Sequence, residues 1–166
     1  MESGGSELDA GVRTIDAIGI SAPPERVFQA ARDVERWPAI LPHYRWVRFL
    51  ERRPNGDGVV EMAAWRPFAA GAFRWPTWWV SEMTIDPNGS TIHYRHVQGV
   101  TQGMEVAWRV RAANGGTAVE IVHEWDGPSW PLIRWVAANL VIGPVFIHGI
   151  ASRTLAGIKR HTEKTA

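Results

Sequence analysis

Residues 21–44 read SAPPERVFQAARDVERWPAILPHY, and this stretch decides the fold. Ser21 stands before a proline pair and Glu25, a helix-start pattern, and Val27, Phe28, Ala31 and Val34 then recur at helical spacing. The spacing predicts one amphipathic helix that stops near Trp37, because Pro38 and Pro42 punctuate the segment after it. Just upstream, Asp16–Ile20 (DAIGI) is a short, partly alternating strand. From Tyr44 onward the texture changes to short runs rich in Val, Trp, Phe, Tyr and Thr. Turn signals separate them: PNGDG at 54–58, a Pro/Gly stretch at 67–76, DPNGS at 86–90, GVTQG at 99–103 and ANGG at 113–116. That rhythm predicts about six consecutive antiparallel strands. A Pro/Trp-rich connector comes next at 128–135, and Pro144–Thr162 reads as a closing helix about 28 Å long, enough to cross a whole sheet.

With 166 residues and 18.5 kDa, the chain fits one domain, taken as 12–163 after a polar, Gly/Ser-rich lead-in at 1–11 that reads as disordered. The lead-in has no positive n-region or apolar h-region, so no secretory signal is expected. Eighteen Lys and Arg against seventeen Asp and Glu leave a net charge of +1, which argues against a nucleic-acid binder with a basic stripe. The absence of Cys removes disulfides and thiolate chemistry and fits a reducing, cytoplasmic setting. Pro131–Ala151 is apolar, but Arg134, Asn139, His148 and two prolines interrupt it, so it reads as a buried helix and lid rather than a stable membrane span. Ten Trp in so short a chain exceed what a core needs and point to a bound aromatic or apolar molecule.

Alternation assigns the strand faces. Thr77, Trp79, Ser81, Met83 and Ile85 are expected inward, as are Ile92, Tyr94 and His96, then Met104, Val106, Trp108 and Val110, and finally Val119, Ile121, His123 and Trp125. Trp37 and Trp65 are taken as inward too. Glu105, Arg109, Arg111, Glu120 and Glu124 fall outward, as a solvated face with cross-strand pairs.

This order of elements, an α+β helix-grip with a curved antiparallel sheet of about seven strands around a long C-terminal helix, comes with motifs that carry a resemblance. They are APPERVF at 22–28, W-P-x-x-x-x-x-Y from Trp37 to Tyr44, Asp57-Gly58, Arg66-Pro67, W-V-S at 79–81, Trp108 and GIKR at 157–160. Over about residues 12–163 the chain resembles the START-like (Bet v 1-like) proteins of the polyketide cyclase/dehydratase type, especially the aromatase/cyclases, with the Coq10-like quinone-binding proteins as cousins. The resemblance implies a deep pocket that holds a poly-β-ketone tethered to acyl carrier protein and guides an intramolecular aldol and dehydration. It also implies that Trp37, Tyr44, Trp79, Ser81 and Trp108 line that pocket, with His148 as a polar pocket residue on the last helix. One position departs from the pattern: where the aromatase/cyclases carry a pocket Arg, two residues beyond the Ser, this chain has Met83.

Ring closure needs proton transfer, so the polar residues in apolar settings are the candidates. His148 falls on the stripe Pro144, Ile147, Ala151, Leu155, Ile158; Tyr44, Tyr94 and His96 fall at strand positions able to face a cavity. For each, packing is the plainer alternative. His93 and His96 form H-x-x-H, but a separation of three on a strand puts them on opposite faces, and no metal or cofactor is implied. Asp57 and Asp86 belong to turns. Arg45, Arg48, Arg52 and Arg53 read as solvated surface or as a face for an acidic acyl carrier protein. The expected function is a polyketide cyclase/aromatase acting on a small hydrophobic or aromatic molecule; the rival is a lipid or quinone carrier without chemistry.

Overall fold

The computed structural model describes residues 11–68, 73–126 and 144–164. The lead-in at 1–10, the connector at 128–135 and the apolar stretch up to 143 lie outside these residues. The chain begins with β1 (Val12–Ile20), α1 (Pro24–Arg32), a 3-10 turn at Val34–Arg36 and α2 (Trp37–Ile40). It then runs through β2 (Tyr44–Arg52), β3 (Gly58–Phe68), β4 (Phe73–Asp86), β5 (Thr91–Gly99), β6 (Glu105–Ala113) and β7 (Gly116–Trp125), and closes with α3 (Pro144–Lys164).

The seven strands form one antiparallel sheet in the order β1-β7-β6-β5-β4-β3-β2. The meander from Tyr44 is therefore present strand for strand, and β1 returns to cover the free side of β7. β1 starts four residues earlier than its own pattern suggests, because β7 offers pairing from Trp125, opposite Val12, to Thr117, opposite Ile20. This is the helix-grip, START/Bet v 1-like fold: a curved sheet with a C-terminal helix across its concave side. No helix among the described residues is long and apolar enough to cross a membrane.

The single helix expected from Ser21 to Trp37 is broken. α1 ends at Arg32, Asp33 leaves the helical region with ψ 61°, and the chain restarts at Trp37 with Pro38 in the first turn. Pro38 sits in the first turn of α2, where its missing N–H costs no intrahelical bond, whereas in the interior of one continuous helix its ring would meet the carbonyl of Val34. The apolar spacing survives, with Val27, Ala31 and Val34 fully buried. Ser21 caps nothing; its backbone N–H donates to Glu163 Oε1 at 2.8 Å, tying the start of this segment to the end of α3.

α3 buries Ile147, Ala151, Leu155 and Ile158 against the sheet. Gly157 lets it approach the end of α2, since a Cβ there would stand 2.1 Å from Leu41 Cδ2. Gly99 serves the sheet in a different way. Its φ is +99° and a Cβ would lie 2.4 Å from Trp78 O, next to a bulge that sets His96 opposite Ser81. On the outer side, Arg13–Glu124 (3.0 Å), Arg95–Glu105 (3.5 Å) and Arg109–Glu120 (2.8 Å) pair across strands. Such exposed pairs contribute about 0–1 kcal/mol each, so they describe a solvated face more than they hold it together.

Candidate functional site

Between the concave side of the sheet and α3 lies a recess walled by three tryptophans. Trp37 comes from α2, and its indole N–H donates to Ala30 O at 3.1 Å, which satisfies the polar edge and leaves the ring for packing. Trp79 and Trp108 come from β4 and β6, each on the inward row of its strand. Trp37 stands 5.6 Å from Trp108 and 5.1 Å from Tyr44, edge-on to the latter, and Tyr44 is in turn 6.3 Å from Trp79. Trp79 stacks on His96 at 5.9 Å and 19°. Ring distances of this size are those of favourable offset and edge contacts.

Polar groups enter this wall in a definite pattern. His96 Nδ1 shares a 2.6 Å hydrogen bond with Thr101 Oγ1, and His123 Nδ1 lies 3.5 Å from Thr14 Oγ1. Burial pushes the His96 pKa down to about 3 and that of His123 down to about 4. Both imidazoles are therefore neutral at neutral pH. Beneath Tyr44, His43 Nε2 is 2.9 Å from Thr154 Oγ1, which itself donates to Ile150 O at 2.8 Å. Burial, helped by Arg153 and Arg160, brings His43 to about 4. Burial raises Tyr44 to about 12 against the opposing effect of a hydrogen bond with Thr154, and it pushes Tyr94 well up. The Tyr94 hydroxyl is buried and has no partner, which is unusual for a group this expensive to desolvate. No Asp, Glu, Lys or Arg lines the recess among the described residues. Its free space is about 70 Å³. Ligand sites commonly run from about 300 Å³ upward, so a multi-ring guest must push the walls apart.

Of the ten residues singled out from sequence, Trp37, Tyr44, Trp79, Tyr94, His96 and Trp108 meet at this recess. Ser81 and Met83 do not reach it. Ser81 is fully buried with its Oγ unpartnered, and Met83, 1% exposed, packs in the core opposite Gly58 and Tyr94. An Arg at that position would be a buried charge, not a cation in the wall. Trp65 is a correction. Val60, Met62 and Ala64 hold the inward row of β3, so Trp65 falls outward, where Arg45 and Arg74 lie 4.6 and 5.6 Å from its ring.

His148 is the second correction. The buried stripe of α3 runs through Ile147 and Ala151, and His148 is turned about 100° from Ile147, toward the edge at β1. Its side chain is 67% exposed and its Nδ1 hydrogen-bonds Asp16 Oδ1, a carboxylate buried on β1. The sequence reading passed over His43, Thr101 and Thr154, and placed His123 inward without giving it a role. Thr154 was findable, since it lies three residues after Ala151 on the same helix face.

A family model described as polyketide cyclase / dehydrase and lipid transport matches residues 20–143. The chain is 33% identical over 124 residues to a putative polyketide cyclase of Streptomyces halstedii, covering 74% of this chain and 96% of that protein. It is 29% identical over 117 residues to the actinorhodin polyketide synthase bifunctional cyclase/dehydratase of Streptomyces coelicolor, covering 68% of this chain but only 34% of that protein, so it spans about a third of that relative's length. Among solved structures, the Zhui aromatase/cyclase of Streptomyces sp. R1128 superposes with a TM-score of 0.69 at 20% identity, over 93% of each chain, a likeness of fold. The matched segment runs from the end of β1 through the whole meander, and this chain belongs to the polyketide cyclase/dehydrase and lipid transport family.

Proposed function

We propose that this chain is a polyketide cyclase: it binds a neutral, hydrophobic polycarbonyl chain, presented on an acyl carrier protein, between Trp37, Trp79 and Trp108 and closes a ring by intramolecular aldol addition and loss of water. The observation that carries this is the buried, unpartnered hydroxyl of Tyr94 in a charge-free aromatic wall beside neutral His96. A hydroxyl held dry is a ready donor to a carbonyl oxygen on which charge develops. The C–H between two carbonyls gives its proton to the His96 imidazole, the resulting enolate carbon attacks a carbonyl farther along the chain, and that oxygen takes the Tyr94 proton. In the dehydration the imidazolium protonates the departing hydroxyl and the tyrosinate takes the remaining α-proton, so both groups return to their starting state. An imidazole with so low a pKa is a weak base but, once protonated, a strong acid, and it suits the second half of the reaction, where the hydroxyl leaves as water. Tyr44, bonded to Thr154, orients the chain.

The test is single-turnover assay of the parent with a carrier-bound poly-β-ketone, beside Tyr94→Phe and His96→Ala. Loss of about 100-fold in each, with binding kept, is the expected result for removing proton-transfer groups. Saturable binding with no ring closure in the parent would overturn the enzyme reading and leave a carrier.

A further inference from the structure

Trp46, Trp65 and Trp78, none of which lines the cavity, lie on the outer face of β2–β4. Trp46 and Trp78 flank Ala63 across the sheet and are 36% and 38% exposed. Trp78 Nε1 donates to Glu61 Oε1 at 2.9 Å, Trp46 bonds the same carboxylate, and Arg48 pairs with it. The polar edges of both indoles are thus turned into the sheet, leaving carbon surface toward solvent. Arg45 lies 4.8 Å from the ring of Trp46 and 4.6 Å from that of Trp65, which also receives Arg74. Neither Arg45 nor Arg74 forms an ion pair among the described residues. Elsewhere on the outer face Arg13, Arg95 and Arg109 each have a glutamate across the strand, and on β2 Arg48 and Arg52 pair with Glu61 and Glu35. Arg45 and Arg74 differ from these neighbours and share with Arg111 their lack of an ion pair among the described residues.

We infer that this face is a docking surface for a protein that presents an acidic segment. Trp and Arg are the side chains most enriched among interface hot spots, and guanidinium groups held on aromatic rings without carboxylates are set to pair with carboxylates brought by a partner. A second copy of this chain fits poorly, because a two-fold contact would set Arg45 and Arg74 against the same cations. A lipid surface fits poorly too, since interfacial Trp keeps its N–H toward the headgroups, whereas Trp78 spends it on Glu61. The location points the same way. Arg45 at the start of β2, Trp65 late in β3 and Arg74 at the start of β4 lie at the same end of the sheet as Thr101 and Ile147 of the cavity wall. A partner seated there would stand beside the recess, whether or not the recess performs a ring closure.

The experiment is fluorescence anisotropy of a labelled acyl carrier protein, chosen as an acidic helical probe, titrated with the full chain at low and high salt. Saturable, salt-sensitive binding is expected, weakened about tenfold or more in an Arg45→Glu/Arg74→Glu double variant and unchanged in Arg109→Glu on the other half of the face. Thermal melts establish that each variant folds. Turnover of an untethered substrate stays at the parent level in the double variant, which separates this surface from the chemistry of the cavity. Equal binding by parent and double variant, or no saturable binding at all, overturns the inference. So does Arg45- and Arg74-dependent binding to phosphatidylglycerol-containing vesicles, or self-association through these residues, in place of carrier binding.

Discussion

His96 and His148 each sit where an apolar pattern surrounds a lone histidine, and the fold treats them in opposite ways. His96 is on β5, enclosed by Trp79 and hydrogen-bonded to Thr101, and burial keeps it uncharged. His148 is on α3, open to solvent, and bonded to the buried carboxylate of Asp16 on the edge strand. A strand's two-residue period leaves no doubt about side, while a helix advances about 100° per residue, so one position decides between the recess and the seam. The proposed ring closure therefore draws its proton transfers from the buried groups of the recess, while the His148–Asp16 hydrogen bond docks α3 on β1.

The sharpest way to break this contrast is acid. His96, His43 and His123 titrate near 6.5 when the chain is unfolded, but burial holds them to about 3, 4 and 4 in the fold. Below pH 6.5 the unfolded chain binds protons that the folded chain refuses, so stability is full above that pH and falls as pH drops through 4, flattening below 3. Thermal melts across this range are expected to lose most of the stability. His96→Gln should flatten the slope, and a melting temperature that is level down to pH 4 would show that these rings are not held dry.

Next in size is the aromatic wall itself. Trp108 is 4% exposed and touches Trp37, so Trp108→Ala should cost about 3–5 kcal/mol in urea unfolding, the usual range for emptying a large core site. A loss below about 1 kcal/mol would mean that the recess collapses around the gap and is not a rigid wall. At the seam, His148→Ala leaves Asp16, 3% exposed on its side chain, with neither oxygen bonded, since Oδ2 already lacks a partner. Removing one member of such a pair costs about 1–3 kcal/mol, with turnover unchanged because His148 lies outside the recess. A His148→Ala variant that folds normally but loses turnover would instead return this residue to the chemistry.

Most of the architecture was legible because it rests on short-range signals. The turn dipeptides fixed the six strands of the meander, and period-two alternation placed Tyr94, His96, Trp79 and Trp108 on one side. What escaped the reading depends on neighbours far along the chain. Trp65 follows Ala64 on the opposite row of β3, a side that residue type alone does not show, and the orientation of His148 depends on Asp16, over a hundred residues away. His43 carries no pattern of its own; only Thr154 on α3 shows why it is buried there. The break at Asp33 was masked by an apolar spacing that continues across it, through Val34.

The smallest effect on stability separates packing from function most cleanly. Tyr94 is 4% exposed and its ring belongs to the core, yet its hydroxyl meets no partner in the fold. In Tyr94→Phe the ring stays and only the unsatisfied oxygen goes, so the variant should be within about 0.5 kcal/mol of the parent or more stable by up to about 1–2 kcal/mol, the desolvation cost recovered. A hydroxyl kept for structure would behave in the opposite way, and its removal would destabilise. Sites that bind or react commonly hold such locally unfavourable groups, because the ligand supplies the missing partner. Urea unfolding of Tyr94→Phe beside its turnover decides the matter: unchanged or raised stability with lost activity places the hydroxyl in the service of a ligand, and a loss of more than about 1 kcal/mol would show that it holds the fold instead.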